Sequence, residues 1–459
     1  MKNKLPTLIL GLIISSVGNL VGQQAYDAIH ILDREIGFGT RALALGGAYA
    51  GLANDYTATY WNPAGIGYFK QARFYAELSH LNIDNQALFA NQRTGDTRTY
   101  TRFRSVGAAF PVPTTRGSLV LAIGVNRIRD FDDNLMFSGT SSLSNGLGFN
   151  ISNENDESVY YPFDRNVRRF EQVSNEGGLN QWLVAAAVAL SPRFMIGTTA
   201  SIMEGDEDYR FRFIQTDVDS LYSQYPSDFA TYQVNQFLKS KYKAVQVKVG
   251  GLIQVSHRIR IGGVMTLPSR FNVEEIHSFR DELVFDDGYT DVTENSGRWD
   301  YRVKTPFYFD GGISYSGRLL TLSAAARYRD WSQTRFEGND RRIDDIEYLE
   351  LQEENDIIRR NYGPATEYHL GGEITLSPLN TKLRGGYAYY PSPLRTARKE
   401  EDRKLYSGGL SYIIDENVSL DITYLRGSWE RESRDQYTPG GTLESITFKK
   451  LLVGFSIGF

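Results

Sequence analysis

The sequence predicts an all-β fold, a membrane-spanning antiparallel β-barrel of about fourteen strands with an N-terminal hatch or plug inside the lumen. Three observations carry the prediction. Apolar residues recur with a period of two along most of the chain, the alternating runs number fourteen, and the segments between them are alternately short and long. Apolar side chains on one face, with Gly, Ser, Thr and charges on the other, fit a lipid-facing exterior and a wet interior. The mean hydropathy of -0.38 does not oppose this, because only every second residue of a barrel strand faces lipid.

Composition removes other classes. The 459 residues include no cysteine, which excludes disulfides, thiolate metal sites, thiol nucleophiles and an acylated N-terminal cysteine. A net charge of -5, from 50 Lys and Arg against 55 Asp and Glu, argues against nucleic acid as a partner, since phosphate binding needs a basic excess.

Residues 1–22 read as a signal peptide. Lys2 and Lys4 give a positive start, Leu8 to Val17 a short apolar core and Gly18 to Gly22 a small-residue exit, with cleavage expected near Gly22 or Ala25. Residues 23–71 form the expected hatch, dense in Ala and Gly between Gly37 and Gly67, and small residues let backbones pack closely. Asn62-Pro63-Ala64-Gly65 is a turn signal just before the first strand.

The barrel is assigned to residues 72–459. Strands are expected near 72–82, 102–112, 118–128, 180–190, 194–204, 241–256, 258–274, 298–316, 318–336, 364–377, 382–390, 404–414, 417–430 and 444–459. Short turns such as SPR, SGR, SPLNT and DEN follow even-numbered strands, and long polar loops, including 129–179, 205–240, 275–297 and 337–363, follow odd ones. That asymmetry matches periplasmic turns facing extracellular loops, and so a multi-pass barrel in the cell outer membrane, in contact with its lipid and lipopolysaccharide. The last strand alternates Leu451, Val453, Phe455, Ile457 and Phe459 against Lys450, Gly454, Ser456 and Gly458, with Leu452 as an apolar intruder. It resembles the terminal strand by which the barrel assembly machinery recognises its clients.

From Gly37 to Gly67, with the core ANDYTATYWNPAGIG, the chain resembles the FadL-type family of outer-membrane transporters for long-chain fatty acids and other hydrophobic compounds. Asn62, Pro63 and Ala64 match its Asn-Pro-Ala hatch motif. TPFYFDGGISYS, YRDWSQTRF and LGGEITLSPLNTKLRGGYAYYPSPL are similar to its eighth to eleventh strands. The resemblance implies passive uptake of a hydrophobic small molecule, a hatch that moves, and a lateral exit beside the third strand. Gly124 lies mid-strand there and is the candidate lateral-gate kink. The N-terminal stretch also looks like that of PorV-type protein-secretion shuttles, which is the alternative, and a general porin is third.

By the alternation Arg327, Arg329, His369, Glu373, Arg384 and Asp421 point into the lumen. The arginines are suited to capturing a ligand carboxylate, or else pair with Glu373, Asp310 or hatch residues. Trp331 and Tyr387, Tyr389 and Tyr390 read as interfacial girdle residues. Phe163, Phe170, Phe211, Phe213 and Phe237 are candidates for a greasy access groove, or pack the loops together. The acidic segment Arg341 to Arg360 has near-helical apolar spacing and receives no metal. The five histidines form no metal-ligand or nucleophilic motif. The chain is therefore not read as an enzyme, and no cofactor is expected.

Overall fold

The computed structural model describes residues 24–33, 35–115, 117–152, 158–225, 228–338 and 345–459, so the expected signal segment lies outside the described residues. Fourteen strands close into an antiparallel barrel. They are β1 Arg73–Phe89, β2 Gln92–Val112, β3 Leu119–Asp130, β4 Val167–Ser191, β5 Phe194–Thr216 and β6 Phe229–Gln254. Next come β7 (Ile259–Thr266, continued by Arg270–Phe285), β8 (Thr290–Lys304, continued by Tyr308–Ser316) and β9 (Leu320–Asp330, continued by Arg335–Glu337). The remainder are β10 Pro364–Leu376, β11 Thr381–Tyr390, β12 Arg403–Ile413, β13 Val418–Ser433 and β14 Thr442–Gly458. Pairing of β1 with β14, from Arg73↔Gly458 to Leu88↔Leu443, closes the sheet and leaves no terminal edge.

Short turns follow the even-numbered strands, as at residues 192–193 and 317–319. The long polar loops expected at 129–179, 205–240 and 275–297 are in good part strand, because β4 to β8 run far past the apolar zone before they turn. Beyond that zone the outward positions turn mostly polar or charged, and apolar residues that remain, such as Phe211, Phe213 and Val234, face inward. The alternation that marks a strand in sequence then fades while the hydrogen-bond ladder continues. The expected first loop is likewise a hairpin, turned by Ala90 and Asn91, both at positive φ. Of the segment 337–363, Asp345–Asn361 is helical, and Ile343 lies outside the described residues.

The seventh, eighth and ninth strands are expected from sequence to be continuous, and each breaks at one level: 267–269, 305–307 and 331–334. Pro268 and Pro306 have no N–H to give the ladder, and the amide of Thr305 instead reaches the Ser269 carbonyl at 2.9 Å. The third of these breaks is a short 3-10 turn, Trp331–Gln333.

Apolar side chains lie on both surfaces. Leu78, Phe103, Val184, Ile202, Val245 and Leu370 stand exposed on the outer face. An apolar band of that extent needs apolar surroundings. The buried core is inside, where Leu45, Tyr49, Tyr56, Tyr60 and Trp61 of the N-terminal segment meet the wall. No described helix is long and apolar enough to cross a membrane, which says nothing about strands.

Candidate functional site

The N-terminal segment threads the lumen as helices α1 (Ala25–Asp33), α2 (Thr40–Ala44) and α3 (Ala58–Trp61), then a 3-10 turn, Pro63–Tyr68. Helices this short leave most of their backbone polar groups without intrahelical partners. Where the segment is buried, each such carbonyl needs a donor. The wall supplies them from many strands: Thr423 Oγ1 to Thr40 O at 2.8 Å, Ser407 Oγ to Ala44 O at 3.0 Å, Ser314 Oγ to Gly51 O at 2.8 Å, and Thr199 Oγ1 to Thr59 O at 2.7 Å. The Lys248 ammonium donates to Tyr60 O at 3.2 Å and lies 3.7 Å from the Tyr60 ring centroid.

So close an approach is sterically open because the wall is glycine where the segment touches it. A Cβ at Gly371 would stand 2.6 Å from the Leu45 carbonyl oxygen, and one at Gly409 would stand 2.6 Å from the Ala44 Cβ. At Gly386, Gly262, Gly197 and Gly250 it would overlap Gly46, Ala50, Pro63 and Asn62 respectively. The Gly, Ser and Thr that read as a wet inner face are therefore, at this level, the seat of a packed backbone.

Asn62, Pro63 and Ala64 stand at the centre of this contact. Asn62 Nδ2 donates to Ala50 O at 2.7 Å and to Gly251 O of β6 at 3.1 Å, and its Oδ1 accepts from the Ala64 amide at 3.2 Å. Pro63 opens the 3-10 turn, where a missing N–H costs nothing. Ala64 packs on Met195 and Leu252.

The polar residues expected in the lumen are there, in two groups. Glu373 accepts from Arg384 Nε at 2.7 Å and from Arg41 Nε of α2 at 3.0 Å, while Arg384 Nη1 also reaches Asp421 at 2.6 Å. In the second group Arg327 Nε pairs with Asp310 at 2.6 Å. Arg329 lies between the rings of Tyr308 and Trp331, at 4.2 and 4.6 Å, and reaches Glu35 at 3.3 Å and Leu32 O at 3.2 Å. His369 Nδ1 lies 2.7 Å from Gly46 O. Trp331 is buried in the lumen and not at an outer girdle. Glu35 has its carboxyl held below the ordinary range, mainly because the Arg329 and Lys248 charges outweigh its burial.

Gly124 is not a kink. It pairs regularly with Gly107 and Leu183, and the register slips further along, between Arg127 and Arg129. Its missing side chain makes room for the Tyr56 ring, which also fills the space beside Gly107. Beyond Ser105↔Asn126 the β2–β3 ladder ends, and Asp133–Ser141 pairs with β4. The interval is bridged from β2 by Arg102 to Asp132 at 2.5 Å and by Arg104 to Asp130 at 3.0 Å.

At the loop end an aromatic cluster closes the mouth. Phe163 stacks on Phe229 at 4.5 Å, Phe213 on Tyr437 at 4.8 Å, and Phe149 meets Phe285 edge-on at 5.4 Å. Phe163, Phe211 and Phe213 belong to it, but Phe170 and Phe237 do not. Neither the glycine seats nor Lys248 stood out in the sequence. The available signal was glycine recurring at inward positions of one strand after another.

A closed fourteen-stranded barrel filled by its own N-terminal segment is a distinct class of β-barrel. No protein-family model and no curated protein sequence matches the chain. Among solved structures it is similar to the P. putida toluene transporter TodX, with 11% identity and a TM-score of 0.59 over 92% of this chain and 99% of that one. It is also similar to the Ralstonia pickettii toluene transporter TbuX and to a Pseudomonas aeruginosa FadL homologue, each at 14% identity and a TM-score of 0.54 over 93% of this chain and 99% of theirs. The fold is that of the FadL/TodX-type channels.

Proposed function

We propose that the protein is an outer-membrane channel for passive uptake of a hydrophobic compound, with the N-terminal segment acting as its hatch. The observation that carries this reading is a barrel apolar outside, filled by its own N-terminal segment, and capped at its loop end by a buried cluster of mainly aromatic side chains. Such a mouth partitions apolar solutes from water. The solute enters among the aromatics, passes the hatch, and leaves through the wall beside β3, where the β2–β3 ladder stops.

Two points favour an uncharged hydrocarbon over a fatty acid. Arg327, Arg329 and Arg384 are all ion-paired, so a ligand carboxylate would have to displace Asp310, Glu35 or Glu373. Two of the structurally similar proteins are toluene transporters. The test is a gene deletion with complementation, measuring uptake of labelled toluene, alkane and long-chain fatty acid. Unchanged uptake of all three would sink the proposal, and secreted proteins that co-purify with the barrel would replace it with the shuttle reading.

A further inference from the structure

The loop-side margin of the outer apolar band differs around the barrel. Along β9 to β13 it carries exposed tyrosines, Tyr328, Tyr368, Tyr406 and Tyr424. Along β5 to β9 it carries charge. On β6 the exposed Val249 and Val245 are followed, on the same outward face, by Lys243, Lys241 and Lys239. Lys243 and Lys241 stand opposite Glu204 and Asp206 of β5, and opposite Asn272 and Glu274 of β7. Lys239 alone of the three ends in an ion pair among the described residues, with Asp208 at 3.5 Å. Arg302 of β8 continues the row, opposite Asn272 on one side and Glu337 of β9 on the other.

Above the lysines the outer face of β4 to β8 is concave. A cavity of about 890 Å³ is lined by Arg210, Arg212, Asn235, Phe237, Arg280 and Ser296 among others. The Arg210 guanidinium lies 5.6 Å from the Phe237 ring centroid. Outward positions along a strand are spaced by about 6.6 Å. From Val245, then, the lysine row spans roughly 7 to 20 Å and the groove begins at roughly 26 Å.

We propose that this face binds a phosphorylated glycolipid of the outer leaflet: acyl chains along the apolar band, phosphates on Lys243 and Lys241, and sugars in the groove. The order of the three zones is what selects this occupant. Ammonium groups at the edge of an apolar surface attract phosphate. A groove lined by amide, hydroxyl and guanidinium groups, the Glu294 carboxylate and phenylalanines that include Phe237 offers hydrogen bonds and a stacking face to sugars. A glycerophospholipid would end at the lysines and leave the groove empty. The inference rests on the reading of the apolar band as membrane-embedded in the outer membrane.

The test uses the full-length barrel in detergent, titrated with a phosphorylated disaccharide lipid bearing core sugars and followed by native mass spectrometry. The Lys241→Glu/Lys243→Glu variant is expected to bind at least about tenfold more weakly, and removing the lipid phosphates should weaken wild-type binding similarly. Asn235→Ala/Phe237→Ala should weaken binding of the lipid with core sugars and leave that of the bare phosphorylated disaccharide lipid unchanged. Equal binding by wild type and the charge-reversal variant overturns the proposal, as does equal binding of phosphatidylglycerol. Lys241→Gln/Lys243→Gln stands in if the reversal impairs assembly. Uptake of hydrophobic solute, measured on the same variants, is expected to be unchanged, which separates failure of this inference from failure of the transport reading.

Discussion

The middle of the lumen and its mouth are both filled by the chain itself, and they are filled by opposite means. In the middle, backbone lies against wall glycines, its carbonyls capped one by one by Thr, Ser, Lys and Arg side chains from many strands. At the mouth, Phe149, Phe163, Phe213, Phe229, Phe285 and Tyr437 interdigitate through ring contacts. Capping is directional, and a shift of one residue would leave several buried carbonyls unpaired at once. Ring contacts, though oriented, leave no polar atom unpaired when they part, and an apolar ligand can replace them with contacts of the same kind. Under the transport function proposed above, the mouth is the region that parts for a hydrophobic solute, while the middle holds until a larger change releases it.

The largest effect should come from adding a side chain where backbone meets wall. Gly386→Val places atoms where Gly46 N and the Leu45 carbonyl carbon lie, and both partners are backbone. Loss of the compact, heat-shifted barrel band on gels is expected. The adjacent Gly385 points outward, and a Cβ there would have nothing within 4 Å, so Gly385→Val should keep that band. If both variants behave alike, the glycine seat is not what holds the segment.

Next in size is the ion-pair group. Glu373→Gln leaves Arg41 and Arg384 sharing a neutral amide in a buried site, a change of about 3–5 kcal/mol in comparable pairs. Denaturant titration should show the destabilisation, and planar-bilayer recordings should show increased leak. Glu337→Gln on the outer face, where Arg270 and Arg335 are largely exposed, should change stability by at most about 1 kcal/mol.

The same division decided what could be read from sequence. The wall was legible because each crossing has one apolar face, so period-two runs such as Val418, Leu420, Ile422 and Tyr424 announce β13 and its facing. The inward placement of Arg327, Glu373 and Arg384 followed from the same parity. The upper strands were not legible, because Glu204, Asp206 and Asp208 face outward above the apolar band and read as loop. The seat of the N-terminal segment was hidden for another reason. Glycine at an inward position looks the same in sequence whether water or backbone stands on it, and only the packed segment shows that Gly371 and Gly409 have no room for a Cβ.

At the mouth, Phe229→Ala removes a fully buried ring that meets both Phe163 and Tyr222. The cost should stay local, because the cluster is separate from the main lumen core. Uptake of a hydrophobic solute is expected to change severalfold with little movement of the whole-barrel denaturation midpoint. A large fall in that midpoint would mean that mouth and middle unfold as one unit.

The smallest expected effect lies at the junction of the two regions, where α1 begins. Burial, then the charges of Glu275, Glu207 and Glu354, push the Asp27 carboxyl up to about 8. His30, one turn along the same helix, faces Glu207 at 2.6 Å and does not offset this. Between its ordinary value of 3.8 and about 8, Asp27 holds a proton in the folded state that the unfolded chain has released. The folded state therefore binds more protons, and docking of α1 weakens as pH rises through that window, with no further loss above it. Hydrogen exchange in α1 should be faster at pH 8.5 than at pH 6, by more than the intrinsic chemical rate explains, while β10 to β13 are unaffected. Asp27→Asn should abolish the difference, since its amide stays neutral throughout. A pH dependence that survives in Asp27→Asn would assign it to the remaining carboxylates, Glu207, Glu275 and Glu354, and not to Asp27.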